Sequence, residues 1–122
     1  MKVIGKIFDR NPSVMEIGNK LEDIQKFIGG YMETPFISDG LRQREIVLVV
    51  NEEGSLLNLR PTLALVKNDK VVFCLRGQLF FCGVEDGELV DLNREQEEYI
   101  MSNLVFKGAY NDQGLEVDVL FV

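Results

Sequence analysis

Histidine and tryptophan are both absent from the 122-residue chain. Without an imidazole, the chain has no Ser-His-Asp or Cys-His catalytic centre and no imidazole metal site. Two cysteines alone are too few for a structural zinc site, which normally takes four ligands. The N-terminus lacks a charged-then-apolar leader, and no apolar run reaches the roughly 18 residues of a membrane span. These absences predict a cytoplasmic protein that is not an enzyme and needs neither metal nor cofactor.

Both cysteines, Cys74 and Cys82, lie in residues 71–84, which form the most apolar stretch of the chain. Residues 76–78 divide this stretch into two apolar runs, a pattern that predicts a buried antiparallel hairpin. In the register of a two-residue turn the cysteines do not face each other. We therefore expect two buried thiols that behave as small apolar side chains.

Acidic residues are concentrated in the last third of the chain. The net charge is -7, and residues 85–122 carry ten acids and two bases, a net charge of -8. The first 84 residues carry ten acids and eleven bases. Because a nucleic-acid-binding surface would need a cluster of basic residues, direct binding to nucleic acid is not expected.

Short apolar runs and turn residues predict a single α+β domain, a mostly antiparallel sheet with two helices packed on it. One helix is predicted over residues 19–28, capped by Asn19 and ended by glycine at position 29. The other follows Asn93, with Gln96 in the reciprocal capping position. Besides the hairpin, strands are predicted over residues 1–9, 14–17, 31–38, 46–50, 56–59, 88–92 and 115–122, turns at 51–54 and 85–87, and loops over 39–44 and 108–114. Residues 62–66 fit either a strand or a helical turn, and residues 115–122 are an edge that could pair with a second copy in a homodimer.

Several segments together resemble the DUF3846 family, small domains of unknown function found in phages, plasmids and Firmicutes. The similar segments are GGYME at residues 29–33, NEEG at 51–54, LNLRP at 57–61 and Asp86-Gly87, in that order. The sequence at residues 59–62 departs from the LPxN pattern of the family. The resemblance covers residues 1–105 and implies a mobile-element accessory protein. Residues 106–122 are interpreted as a C-terminal strand extension of the single domain, residues 1–122.

The acidic segment supports the main functional hypothesis. Like charges packed this closely repel one another, and such a surface attracts basic partners. We therefore expect a non-enzymatic protein that binds and inhibits a host nucleic-acid-binding or defence protein, of the anti-CRISPR or anti-restriction type. The candidate partner-binding residues are Glu85, Asp86, Glu88, Asp91, Glu95 and Glu98.

A small-ligand binder is the alternative hypothesis. A cleft near Tyr31, Glu33 and Arg60 would sequester a nucleotide or a signalling molecule. The same residues also have purely structural interpretations, because glycines 29 and 30 end a helix and Tyr31 would pack on the sheet. Residues 52 and 53 are interpreted as an exposed turn. An enzyme that uses a carboxylate pair is the third and least favoured hypothesis.

Overall fold

A computed structural model describes residues 1–8, 10–110, 114 and 116–122 of the protein, with the backbone alone at positions 109 and 110. This part of the chain contains ten strands and three helices. The strands are β1 (Lys2–Lys6), β2 (Ser13–Glu16), β3 (Met32–Glu33), β4 (Ile46–Asn51), β5 (Pro61–Lys67), β6 (Lys70–Arg76), β7 (Leu79–Glu85), β8 (Glu88–Val90), β9 (Leu104–Tyr110) and β10 (Glu116–Phe121). The helices are α1 (Leu21–Ile28), α2 (Asp39–Gln43) and α3 (Arg94–Ser102).

The strands form two sheets. The first has the order β2-β1-β7-β4-β3, with β8 also paired to β7, and all its pairings are antiparallel. The second has the order β6-β5-β10-β9, in which β5 and β10 run parallel. The predicted α+β class with mostly antiparallel strands is confirmed, although the strands divide into two sheets and a third, short helix is present.

The main core lies between the two sheets. It joins Ile4, Leu48 and Phe81 of the first sheet to Leu63 and Leu120 of the second. A second core lies on the other face of the first sheet, where α1 packs. Since successive strand residues point to opposite faces, β7 contributes to both cores. Its residues 79 and 81 enter the core between the sheets, and residues 80 and 82 face α1.

The hairpin predicted for residues 71–84 is wrong. The two apolar runs are β6 and β7, which belong to different sheets. β6 instead pairs with β5 across a turn in which Asn68 and Asp69 have φ of 52° and 63°. Left-handed conformations at both positions are those of a type I′ hairpin turn. The undecided residues 62–66 are thus the partner strand, and β6 lies at an edge of its sheet.

Local signals predicted the two longer helices well. α1 ends at Gly29, whose φ of 80° is the left-handed cap expected there. The predicted cap by Asn19 is wrong, because Lys20 occupies the N-cap and no side chain caps the helix. α3 begins with the predicted capping box between Asn93 and Gln96. The loop predicted over residues 39–44 is mostly α2, which Ser38 caps by accepting a hydrogen bond from the backbone N–H of Leu41 at 3.2 Å.

Three strand predictions also need correction. Of the strand predicted over residues 31–38, only β3 is present. Residues 52–58 form turns rather than the predicted return strand at 56–59, and the chain re-enters a sheet only at Pro61. The C-terminal strand is present as Glu116–Phe121, but it is not an edge, because β10 lies between β5 and β9. The loop predicted over residues 108–114 is partly β9, and residues 111–113 and 115 fall outside the described part.

The two cysteines are expected to differ in reactivity. Cys82 is fully buried, and burial raises the pKa of its thiol from 9.0 to about 12, whereas Cys74 is only partly buried on β6. Since the thiolate is the reactive form, an aromatic disulfide reagent at pH 8 should modify one thiol per native chain and two per unfolded chain. Cys74→Ser should abolish the fast reaction, and Cys82→Ser should leave it intact.

Because the pKa of the Cys82 thiol is higher in the folded than in the unfolded chain, the contribution of this thiol to stability should be lost as pH rises from about 9 to 12.

Candidate functional site

The acidic residues at the end of β7 occupy a tight turn, here called the acidic turn (residues 85–88). Asp86 and Gly87 have φ of 51° and 77°, and Glu85 lies opposite Glu88 in the β7–β8 register. All three carboxylates are exposed, and none has an ion-pair partner among the described residues. Like charges directly opposite each other destabilise a strand pair. The fold therefore holds three uncompensated negative charges on a short, fixed turn.

Three acids beyond this turn, Asp91, Glu97 and Glu98, have structural contacts. The Oδ1 atom of Asp91 accepts a hydrogen bond from the backbone N–H of Lys2 at 2.9 Å, which ties the end of β8 to β1. Glu97 lies 2.7 Å from the Lys2 ammonium, and its hydrogen bond and charge raise the pKa of Lys2. Glu98 pairs with Arg94 at 3.1 Å, one helical turn away on α3.

The six predicted partner-binding residues thus fall into two groups. Glu85, Asp86, Glu88 and Glu95 are exposed and form no ion pair within the described part of the chain. Asp91 and Glu98 are also exposed, but they are engaged by a backbone N–H and by an arginine. The acidic turn is the part of the segment whose charge is most available to a partner.

An apolar cleft of about 390 Å³ opens between the edges of the two sheets; we call it the mouth cleft. One wall is β3 with the segment after it, the other is β6, and Val50 and Leu65 are apolar residues of the lining between them. Glu33 and Glu52 are the acidic residues of its lining. The remaining lining residues are Pro35, Phe36, Ile37, Asn51, Gly54, Ser55, Val72, Phe73, Leu75 and Arg76.

The three candidate ligand residues do not share one cleft. Glu33 lines the mouth cleft, but Arg60 lines a second cleft of about 240 Å³. Tyr31 lines neither of them and is largely exposed. The predicted grouping of Tyr31 and Glu33 with Arg60 is therefore not formed.

The second cleft, here called the basal cleft, contains a buried ion pair. Lys6 of β1 lies 2.8 Å from the Oδ2 atom of Asp118 of β10, and both side chains are almost fully buried. The Lys6 ammonium also donates to the carbonyl of Arg10, and the other oxygen of Asp118 accepts from the backbone N–H of Lys107 at 2.8 Å. This pair joins the first sheet to the second.

The sequence-based interpretation missed the walls of the mouth cleft. Val72 and Phe73 were assigned to a buried hairpin, and Phe36 to a strand, whereas all three are more than half exposed. The Asn68-Asp69 pair between two apolar runs was the signal that could have identified the β5–β6 hairpin and left β6 available as a cleft wall.

Neither a metal cluster nor a membrane helix is found in the described part of the protein. No three Asp, Glu or Cys side chains among residues 1–8, 10–110, 114 and 116–122 are grouped so that they could hold a metal ion. Over the same residues, every helix is too short or too polar to cross a membrane.

Comparison with known proteins identifies a family model that matches the chain, but no similar curated protein or solved structure. No curated protein and no solved structure is detectably similar to the chain. A family model described as a domain of unknown function, DUF3846, matches residues 1–104. β10, the strand that lies between β5 and β9 in the second sheet, follows the matched residues. Since the match spans most of the 122 residues, the chain belongs to the DUF3846 family.

Proposed function

We propose that the protein is a non-enzymatic accessory protein of a mobile genetic element that binds a basic host protein through its acidic turn. The partner would be a nucleic-acid-binding or defence protein, of the type that anti-CRISPR or anti-restriction proteins inhibit. Three carboxylates on a fixed turn would occupy sites that normally bind phosphates, and so would block the nucleic acid. The mobile-element origin comes from the family resemblance.

The observation that supports this proposal is the contrast within the acidic segment. Glu97 and Glu98 form ion pairs with Lys2 and Arg94, but the acids of the acidic turn have no cation within ion-pair distance among the described residues. Concentrated, uncompensated charge lowers stability, so its retention is more simply explained by binding than by folding. The β7–β8 pairing holds the charges in place before a partner arrives.

The test compares two triple variants of equal charge in inhibition assays with purified CRISPR effectors and restriction nucleases. Changing Glu85→Gln, Asp86→Asn and Glu88→Gln should weaken binding to the inhibited nuclease at least about tenfold, because complementary charge controls association. The matched control changes Glu22→Gln, Glu53→Gln and Asp69→Asn, three exposed acids outside the segment. It should bind within about twofold of wild type, and wild-type affinity should fall with added salt.

Equal binding by both triple variants, or binding that ignores salt, would refute the role of the acidic turn. Asp91 is left unchanged in this design because its carboxylate holds the backbone of Lys2, so that replacing it would mix a folding effect with a binding effect.

The alternative, a small-ligand binder, has two clefts available. The lining of the mouth cleft holds Glu33, Glu52 and Arg76, whereas Arg60 lies in the basal cleft. Two carboxylates against one guanidinium give the mouth cleft a net negative charge, so it favours an apolar group that carries a positive charge over a phosphate.

A further inference from the structure

Strand β6 presents an exposed apolar edge. Val71, Val72 and Phe73 are consecutive residues that are 57%, 55% and 55% exposed. Within the described residues β6 pairs on one side only, with β5. A long apolar edge strand is a template for pairing with another chain, and soluble proteins usually interrupt such edges with charge. Between Lys70 and Arg76, β6 has no charged residue.

The strands at the other ends of the two sheet orders, β2, β3 and β9, are protected. β3 has two residues, and β2 has four and ends at Glu16. β9 is as long as β6, but Lys107 lies near its middle with φ of 51°, and its register with β10 shifts there. Short length, a charge and a bulge are common protections of an edge. β6 has two register shifts against β5, one between Val71 and Phe73 and one between Leu75 and Arg76. No charged residue accompanies the first of them.

Charges around the mouth cleft indicate what covers this edge. Glu33 and Glu52 line the cleft together with Arg76, the last residue of β6, whose carbonyl lies against Gly54. The lining therefore carries two negative charges and one positive charge. Neither carboxylate has an ion-pair partner in the described part of the chain. Lys70, at the start of β6, is exposed and has no carboxylate within ion-pair distance in the same part.

We propose that a second copy of this chain covers β6, with the two β6 strands paired antiparallel about a two-fold axis. This pairing brings the start of each β6 beside the end of the other, so Lys70 of each copy approaches Glu33, Glu52 and Arg76 of its partner. The two carboxylates outweigh the one guanidinium, which donates to the carbonyl of Leu59 in its own chain. Phe73 of each copy packs against the other strand and the mouth cleft. A two-fold interface uses the same surface patch on both copies, so the unpaired backbone groups of both β6 edges form hydrogen bonds in one interface. The two four-stranded sheets become one continuous eight-stranded sheet.

The test is the mass of the protein in solution, measured by sedimentation equilibrium as a function of concentration. The wild type should be a dimer at about 100 μM, and Phe73→Lys should raise the dissociation constant at least about tenfold, because a charge within an edge strand opposes pairing. The matched control is Val14→Lys, which puts the same charge on β2, the edge of the other sheet, where the valine is 49% exposed. It should leave the dissociation constant within about twofold of wild type.

A second variant, Val72→Lys, covers the case in which Phe73→Lys does not fold, which a thermal unfolding curve would reveal. Charge reversal then tests the arrangement of the strands. Lys70→Glu should weaken the dimer by about threefold, as expected for an exposed ion pair, and adding Glu52→Lys should restore it. A monomeric wild type, a dimer unaffected by either β6 lysine variant, or a charge reversal without restoration would each overturn the proposal.

Discussion

Asp118→Asn is expected to lower the free energy of unfolding by about 3–5 kcal/mol, the usual cost of removing one partner from a buried ion pair. The Asp118 side chain is inaccessible to solvent, and that of Lys6 is nearly so. Without the carboxylate charge, the Lys6 ammonium stays buried with the carbonyl of Arg10 as its remaining partner among the described contacts. Asparagine keeps an oxygen that can accept from the backbone N–H of Lys107, so the loss should come from the charge. Urea unfolding measures the change.

Two further variants separate the buried pair from surface electrostatics. Glu98→Gln breaks the exposed pair with Arg94 and should cost no more than about 0.5 kcal/mol. Adding Lys6→Met to Asp118→Asn removes the uncompensated charge, so it should recover at least about half of the loss. A cost below about 1 kcal/mol for Asp118→Asn would mean that the pair does not join the sheets in solution.

This ion pair could not have been predicted from the sequence. Lys6 and Asp118 are 112 positions apart and each looks like an ordinary polar residue of an amphipathic strand. Their contact requires that β1 and β10 lie in facing sheets. The parallel pairing of β10 with β5 decides that arrangement, and no local pattern indicates it.

Several features that depend on neighbouring residues were predicted correctly, although the cap by Asn19 was not. The end of α1 at Gly29, the capping box of Asn93 and Gln96, and the turn at residues 85–87 each involve side chains and backbone atoms within about four positions. Exposure of the acidic turn followed from the same reasoning. By contrast, Glu33 and Arg60 were grouped although they lie on different clefts, since that grouping needed the positions of separate strands.

The apolar stretch at residues 71–84 shows most directly what the sequence alone does not predict about burial. A buried strand and an exposed edge strand can both consist of consecutive apolar residues, so hydrophobicity alone does not distinguish the two kinds of strand. β7 is buried because strands flank it on both sides, whereas β6 is exposed because it lies at an edge. Phe80 and Phe73 look equivalent in the sequence, but they are 0% and 55% exposed.

Phe80→Ala is therefore expected to cost about 3–5 kcal/mol, as is typical when a buried aromatic ring is removed. Phe80 packs against α1, where its ring meets that of Phe27 edge-on, with the ring centres 5.8 Å apart. Phe73→Ala should cost less than about 1 kcal/mol in urea unfolding, provided that the protein is dilute enough to be monomeric. A buried hairpin over residues 71–84 would instead make both substitutions severely destabilising. Similar large losses for the two variants would therefore contradict the division of β6 and β7 between two sheets, and with it the exposed edge on which the dimer depends.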